Sequence, residues 1–218
     1  MIDHKFFYWG PYTASFKIDK KFCTRLLKEG KSLSVSQDKR GLLAGQIEHE
    51  REFILKPWIK EGIAPFVESY LEGYRRFSNT DIANRITGFV KKNWRFETIW
   101  INFQKENEFN PLHVHTGCSI SFVIYLKVPP IIKKEASKNI TKAGNPGTIS
   151  FVYGEDQDFC TTTHNILPEE NTLVMFPSLL RHEVMPFKSK VERISVAGNV
   201  EVTGWNLLNR IGKSSYKV

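Results

Sequence analysis

The spacing of apolar residues divides the chain into a helical first part and a strand-rich second part. Over residues 57–74, apolar side chains recur every three to four positions, which predicts a helix with one buried face. A shorter helix is predicted to begin after Asp19, a good capping residue, and to end at Gly30. Residues 12–18 are predicted to form a strand before it. We interpret these elements as scaffolding.

The pattern changes after about residue 90. Aromatic and β-branched residues alternate with period two over residues 94–103, which predicts a strand. Four further strand-like runs are separated by Pro-, Gly- and Asn-rich turns: 120–128, 147–153, 171–177 and 193–200. Helices followed by a series of short strands predict an α+β fold whose second half is a sandwich or barrel. The lysine-rich segment 131–145 is predicted to be an exposed insertion or lid.

Composition narrows the class of protein. Of 218 residues, 41% are hydrophobic and 25% charged, which indicates a globular chain. We expect no membrane span and no signal peptide, and three cysteines suit a reducing, cytoplasmic compartment. The net charge of +8 favours an anionic partner, such as nucleic acid, a membrane surface or an acidic metabolite, and does not choose among them.

The histidines suggest a metal site. His113 and His115 precede a predicted strand, and residues i and i+2 of an extended segment point to the same side. Their imidazoles could therefore meet one metal ion, although a His-x-His pair alone also fits an ordinary surface pair. His182 follows a predicted strand and turn and offers a third imidazole.

A second pair of residues suggests a carboxylate site. Arg193 lies eleven residues after His182, and Ser195 shares its face of a predicted strand. A guanidinium offers a rigid two-pronged donor to a carboxylate, and a hydroxyl adds a third hydrogen bond. The second half of the chain thus carries two near-adjacent histidines, a distant histidine and then a carboxylate-binding pair.

In this order, the region 94–200 resembles the Fe(II)- and 2-oxoglutarate-dependent dioxygenases, particularly the prolyl-4-hydroxylase-like branch with its uncharacterised phage and bacterial members. The run 121–127 resembles the family's strand ending in Tyr-Leu-Asn, and 176–182 resembles the segment before the distal histidine. The resemblance implies a double-stranded β-helix, also called a jelly roll. We expect one domain with three regions, namely support (1–90), catalytic core (91–205) and a C-terminal tail (206–218).

The resemblance also implies a chemistry. Fe(II) and O2 act with 2-oxoglutarate, whose far carboxylate is held by Arg193, Ser195 and Tyr125, and the decarboxylation is coupled to hydroxylation of a substrate. The substrate is expected to be a small molecule or a protein side chain, with an acidic group as one option, and nucleic acid is not favoured. The oligomeric state stays open. Candidate pocket residues are Asn102, Asn110 and Asn199.

One departure from the family pattern leaves three alternatives. His115 stands where the family has a carboxylate ligand. In the first alternative, which the spacing favours, three imidazoles bind the metal. In the second, His115 is the first ligand and Gly117 occupies the carboxylate position. One position on the metal then has no protein ligand, as in the family's halogenating members. In the third, a distant carboxylate completes the site, with Glu106, Glu108 and Glu183 as candidates. Loss of the carboxylate changes the charge at the iron, so hydroxylation, halogenation and loss of activity all stay open.

Parts of the sequence also fit three other functions. A cupin-like metal-binding β-barrel also uses His-x-His, but residues 116–120 lack its usual glutamate and Arg193 would have no role. A structural zinc protein could use Cys118, Cys160 and His164, whose spacing matches no strong zinc motif. A nucleic-acid-binding module would explain the charge, but the basic runs are scattered among predicted loops.

Overall fold

The computed structural model describes residues 10–78, 93–139 and 144–203. The predicted C-terminal tail at 206–218 and the expected end of the support region at residue 90 lie outside these ranges. Within them, no helix is both long enough and apolar enough to cross a membrane.

The described residues contain both helices and antiparallel strands, so the predicted mixture of helix and strand is confirmed. The helices are α1 (Lys20–Lys31), α2 (Pro57–Ser78) and α3 (Pro130–Ser137), with single 3-10 turns at Val35–Gln37 and Arg40–Leu42. The strands are β1 (Ala14–Lys17), β2 (Glu50–Glu52), β3 (Trp94–Gln104), β4 (Asn110–His113), β5 (Ile120–Lys127), β6 (Ile149–Val152), β7 (Thr163–Ile166), β8 (Thr172–Pro177), β9 (Arg181–Val184) and β10 (Arg193–Val202).

The strands form two antiparallel sheets. The larger has the order β1-β8-β5-β10-β3-β2, and the smaller has the order β4-β9-β6-β7. Neighbours in these orders are mostly distant in sequence, so the position of each strand depends on long-range pairing. Residues of both sheets line one cavity, which places the candidate chemistry between them.

One face of the larger sheet is covered by α1 and α2. Ile59, Ile63 and Val67 of α2 are fully buried in a cluster with Ile101 of β3 and Val196 of β10. Removing these branched side chains from water is the main contribution of α2 to stability. The helical periodicity of residues 57–74 therefore predicted the buried face correctly.

The N-terminus of α1 follows the prediction and its C-terminus does not. The Asp19 carboxylate accepts hydrogen bonds from the backbone N–H groups of Lys21, at 2.8 Å, and Phe22, at 3.0 Å. Gly30 does not end the helix, which continues to Lys31. A methyl group on Gly30 would lie 2.3 Å from Cδ1 of Ile101, so glycine here allows α1 to approach the sheet closely.

The lysine-rich segment after β5 is more ordered than predicted. Its first half is α3, in which Ile132 and Ala136 are buried. The Glu135 carboxylate accepts hydrogen bonds from the backbone N–H groups of Lys188, at 2.8 Å, and Ser189, at 3.0 Å. The helix is thereby fixed to the chain before β10, so this part is not an exposed insertion. Residues 140–143 lie outside the described ranges.

Candidate active site

A row of polar side chains crosses the inner face of the larger sheet. Glu50 on β2 lies opposite Asn102 on β3, and Asn102 lies opposite Ser195 on β10. Ser195 in turn lies opposite Tyr125 on β5. Because directly opposed residues in antiparallel strands share a face, all four side chains point towards the smaller sheet. Each is at most 6% exposed, so the row is a buried polar surface.

The three candidate histidines converge from the smaller sheet. His113 on β4 pairs directly with His182 on β9, and His115 follows two residues later. The backbone N–H of His115 donates to the carbonyl of Ser178 at 2.9 Å, which fixes this segment beside the turn before β9. One ring nitrogen from each of the three histidines lies within 4.8 Å of the other two. The arrangement is suited to hold a metal ion.

Two of these rings have a defined orientation. Nδ1 of His113 lies 2.7 Å from the carbonyl oxygen of Pro111, and Nδ1 of His182 lies 2.8 Å from that of Leu180. A carbonyl only accepts, so Nδ1 carries the hydrogen and Nε2 keeps a free lone pair. This is the tautomer that a metal-binding histidine needs.

Burial keeps two of the imidazoles neutral. It lowers the pKa of His182 to about 3 and that of His115 to about 4, and repulsion from His113 adds to both shifts. In His182 the hydrogen bond to Leu180 partly opposes the effect. Neutral imidazoles are the metal-binding form, so these rings are prepared for a cation at neutral pH.

No carboxylate joins the histidines within the described ranges. Glu108 is engaged elsewhere, because it accepts hydrogen bonds from the backbone N–H groups of Glu48, at 2.9 Å, and Lys105, at 2.7 Å. Glu183 alternates with His182 along β9, and Glu106 is outside the cluster. Gly117 has a φ of +74° and open space where a side chain would be. The geometry therefore favours three imidazoles.

The candidate carboxylate site lies in the same cavity. Arg193 is 3% exposed, and its Nη1 donates to the carbonyl of Gly147 at 2.7 Å. Its buried Nε has no partner, and its guanidinium carbon lies 5.8 Å from the ring centre of Tyr125. An unpaired donor in a buried cation is costly, so this position fits an anionic group of a ligand. Burial lowers the pKa of Arg193 and raises that of Tyr125.

Two of the three candidate pocket asparagines reach this cavity. Asn102 and Asn110 line it together with the three histidines, Tyr125, Arg193 and Ser195. Asn199 does not line it, and its side-chain oxygen accepts a hydrogen bond from the Ser121 hydroxyl at 2.9 Å instead. Asn199 shares a strand face with Ser195 but lies beyond the end of the cavity.

Comparison with known proteins agrees with this geometry. Residues 98–199, which begin within β3 and end within β10, match the model of a family described as "Putative 2OG-Fe(II) oxygenase". The matched region is that of a 2OG-Fe(II) oxygenase. This oxygenase matches no curated protein sequence. The predicted superfamily, enzyme class and cofactors, namely Fe(II), 2-oxoglutarate and O2, are confirmed by the family match.

Solved structures share the fold of the oxygenase at low sequence identity. A prolyl-4-hydroxylase from Pseudomonas putida is 16% identical, with a TM-score of 0.50 over 88% of this chain and 93% of that one. HygX from Streptomyces hygroscopicus, solved with nickel and 2-oxoglutarate bound, is 11% identical, with a TM-score of 0.52 over 88% and 83%.

One prominent cavity residue of the oxygenase was not predicted from the sequence. Glu50 is 1% exposed and lines the cavity. Burial raises its pKa to about 7, and repulsion from Glu108 and Asp38 adds to this shift while Arg40 opposes it. The surrounding sequence, with acidic residues at 48, 50 and 52, has the pattern of an exposed segment and gave no signal.

The rival metal sites are not assembled in the described parts of the oxygenase. Cys160 and His164 are exposed, and Cys118 is half-buried with a pKa raised chiefly by burial. None of the three belongs to the histidine cluster. A structural zinc site built from them has no support, and a cupin-like site would leave Arg193 without a function.

Proposed function

We propose that this oxygenase couples the oxidative decarboxylation of 2-oxoglutarate to hydroxylation of a substrate, with Fe(II) held by His113, His115 and His182. The observation that carries the proposal is that three convergent imidazoles and the unpaired Nε of Arg193 border one cavity. The substrate is a small molecule or a protein side chain. Bound iron would supply the activation of O2.

We assign the far carboxylate of 2-oxoglutarate to Arg193, with Ser195 and Tyr125 beside it. The carbonyl of Gly147 holds one arm of the guanidinium, which leaves Nε to donate into the cavity. Ser195 and Tyr125 are opposite one another on neighbouring strands and are both buried, so their hydroxyls add donors in a water-poor place. These residues bind and orient the cosubstrate and exclude water.

We also propose that the two sheets form a double-stranded β-helix within one domain. Support comes from the antiparallel pairing throughout and from the cavity that both sheets line. In this proposal residues 91–205 are the catalytic core, and the helices within residues 1–90 support it by covering the outer face of the larger sheet.

Three neutral ligands would change the charge at the metal. A carboxylate ligand adds one negative charge, so Fe(II) with two imidazoles and one carboxylate has a net charge of one unit less than the free ion. Three neutral imidazoles leave the charge of the ion unchanged. Anions such as 2-oxoglutarate would therefore experience a stronger attraction. The convergence of His113 with the other two histidines supports this arrangement over a vacancy beside Gly117.

An anaerobic titration tests the proposal. Adding Fe(II) and then 2-oxoglutarate to the full chain should produce a weak visible charge-transfer band, and adding O2 should produce succinate. His182→Ala should abolish both signals. His164→Ala, which changes an exposed histidine outside the cluster, is the matched control and should retain both. A folded, iron-loaded chain that gives neither band nor succinate would refute the proposed function.

A further inference from the structure

Three buried hydrogen-bond acceptors without partners lie in the cavity wall. They are Oε2 of Glu50, Oδ1 of Asn102 and Oδ1 of Asn110. All three residues line the cavity that contains the histidines and Arg193. No group of the described protein donates to these atoms, so whatever occupies the cavity has to supply the donors, because native proteins rarely leave a buried acceptor unpaired. Three in one wall indicate a surface built to receive donors.

The three side chains come from different elements that meet at the loop before β2. Glu50 and Asn102 are directly opposite on β2 and β3 and share the inner face. A methyl group on Gly45 would lie 2.6 Å from Oδ1 of Asn110 and 2.9 Å from Oε1 of Glu50. The side-chain oxygens therefore approach the same stretch of backbone. The backbone N–H of Gln46 also donates to the carbonyl of Phe109 at 2.8 Å, which ties this loop to the segment before β4.

Charge distinguishes this acceptor cluster from the cosubstrate site. Among the described residues that line the cavity, Glu50 has the one carboxylate and Arg193 has the one guanidinium. Oε2 of Glu50 and Nε of Arg193 each have no hydrogen-bond partner, so these two atoms are not paired with each other. The cavity has a cationic region for a carboxylate and a separate acidic region. A cation placed beside Glu50 would favour its ionised form.

We infer that the substrate of this oxygenase presents an ammonium or guanidinium group to Glu50, with Asn102 and Asn110 accepting its remaining N–H hydrogens. An ionised carboxylate only accepts hydrogen bonds, so Glu50 selects donors, and its charge selects cations among them. The inference rests on the proposed function for what is done to the substrate. It differs from the expectation of an acidic substrate, because the net charge of +8 describes the whole chain and not this wall.

Matched small probes test the inference on the full chain. The chain, loaded with Ni(II) and 2-oxoglutarate, is titrated with n-butylammonium, n-butylguanidinium, 1-butanol and butyrate while binding is followed by NMR. The two cations should bind about tenfold or more tighter than butanol, because hydrogen bonds to a charged group are the stronger ones. Glu50→Gln should remove that preference. Glu48→Gln, a change of an exposed glutamate two residues away, should retain it.

The outcomes separate this inference from the proposed function. Equal binding of cations and butanol by the wild-type chain, or no saturable binding of either cation, overturns the inference without needing any variant. Undiminished cation binding by Glu50→Gln overturns it too. Repeating the titration on metal-free chain distinguishes the two ideas, because binding at Glu50 does not require iron. Cation binding without a charge-transfer band would reject the oxygenase proposal alone. A charge-transfer band without cation binding would reject this inference alone.

Discussion

His113 and His182 lie directly opposite each other on β4 and β9, and their ring centres are 4.2 Å apart. The two strands hold the rings before any metal binds, so little side-chain freedom remains to be lost on binding. His115 is placed by a backbone hydrogen bond to Ser178 rather than by a strand pair. Backbone contacts therefore position all three proposed metal ligands.

We expect His113→Ala and His115→Ala each to weaken Fe(II) binding by roughly 100-fold or more, which exceeds the usual effect of losing a residue that only supports a ligand. Anaerobic calorimetry measures the affinity. A site with a vacancy at Gly117 would use His115 and His182 alone. Unchanged affinity in His113→Ala would therefore contradict the three-imidazole site.

Arg193→Gln should raise the KM for 2-oxoglutarate about 10- to 100-fold, because charge-assisted hydrogen bonds to the far carboxylate are lost. Fe(II) affinity should stay near the wild-type value, since no metal-binding nitrogen is removed. Succinate formation at varied 2-oxoglutarate measures the effect. Arg95→Gln, at an exposed arginine paired with Glu97, is the control. If the KM is the same in both variants, the cosubstrate assignment is wrong.

Glu50 should make stability depend on pH between about 4.5 and about 7. In that range the folded chain keeps a proton on Glu50 that the unfolded chain releases, so the free energy of unfolding falls as pH rises. Glu50→Gln should remove this slope and stabilise the metal-free chain at pH 8 by at most about 3 kcal/mol. It should have little effect at pH 4.

Urea unfolding at both pH values checks the effect of Glu50. Glu61→Gln, on the exposed face of α2, provides the comparison. Parallel pH profiles for wild type and Glu50→Gln would show that Glu50 has no raised pKa. The groups that act on it are Glu108, Asp38 and Arg40, and they should be left unchanged in this experiment.

Gly198→Ala should destabilise the chain by about 1–3 kcal/mol, the usual cost of overpacking. The added methyl group would lie 2.5 Å from Cζ of Phe122 and 2.9 Å from the carbonyl oxygen of Thr98. The backbone cannot move away easily in the centre of a six-stranded sheet. Gly41→Ala has open space and should be neutral or slightly stabilising. Thermal unfolding of the two variants provides the comparison, and equal effects would contradict the packing argument.

The long strands and the candidate metal-binding residues could be predicted from the sequence because each depends on a pattern of neighbouring residues. The strand predicted over 94–103 is observed as Trp94–Gln104, and period two placed His113 and His115 on one side. The short strand β7 carries no apolar alternation, since three of its four residues are exposed, and it was missed. A short edge strand of this kind is formed by pairing with its neighbour, here β6, and not by an apolar pattern of its own.

Glu50 and Asn199 show what local patterns omit. Glu50 is buried because β2 pairs with β3, about fifty residues later, and nothing in its neighbourhood encodes that pairing. Asn199 has the correct strand face, but alternation does not say where along a strand a cavity ends. The register of β10 against β3 also shifts immediately after Asn199. The burial of Glu50 and the location of Asn199 outside the cavity lining both depend on how whole sheets are arranged.

The hydrogen bond from Arg193 to Gly147 joins the two sheets beside the cavity. Arg193 belongs to the larger sheet, whereas Gly147 leads into β6 of the smaller one. Bound 2-oxoglutarate that holds Arg193 in place would consequently slow amide hydrogen exchange in β6. Local opening of β6 and loss of 2-oxoglutarate would then be one event, which would protect the cavity from water as long as the cosubstrate is bound.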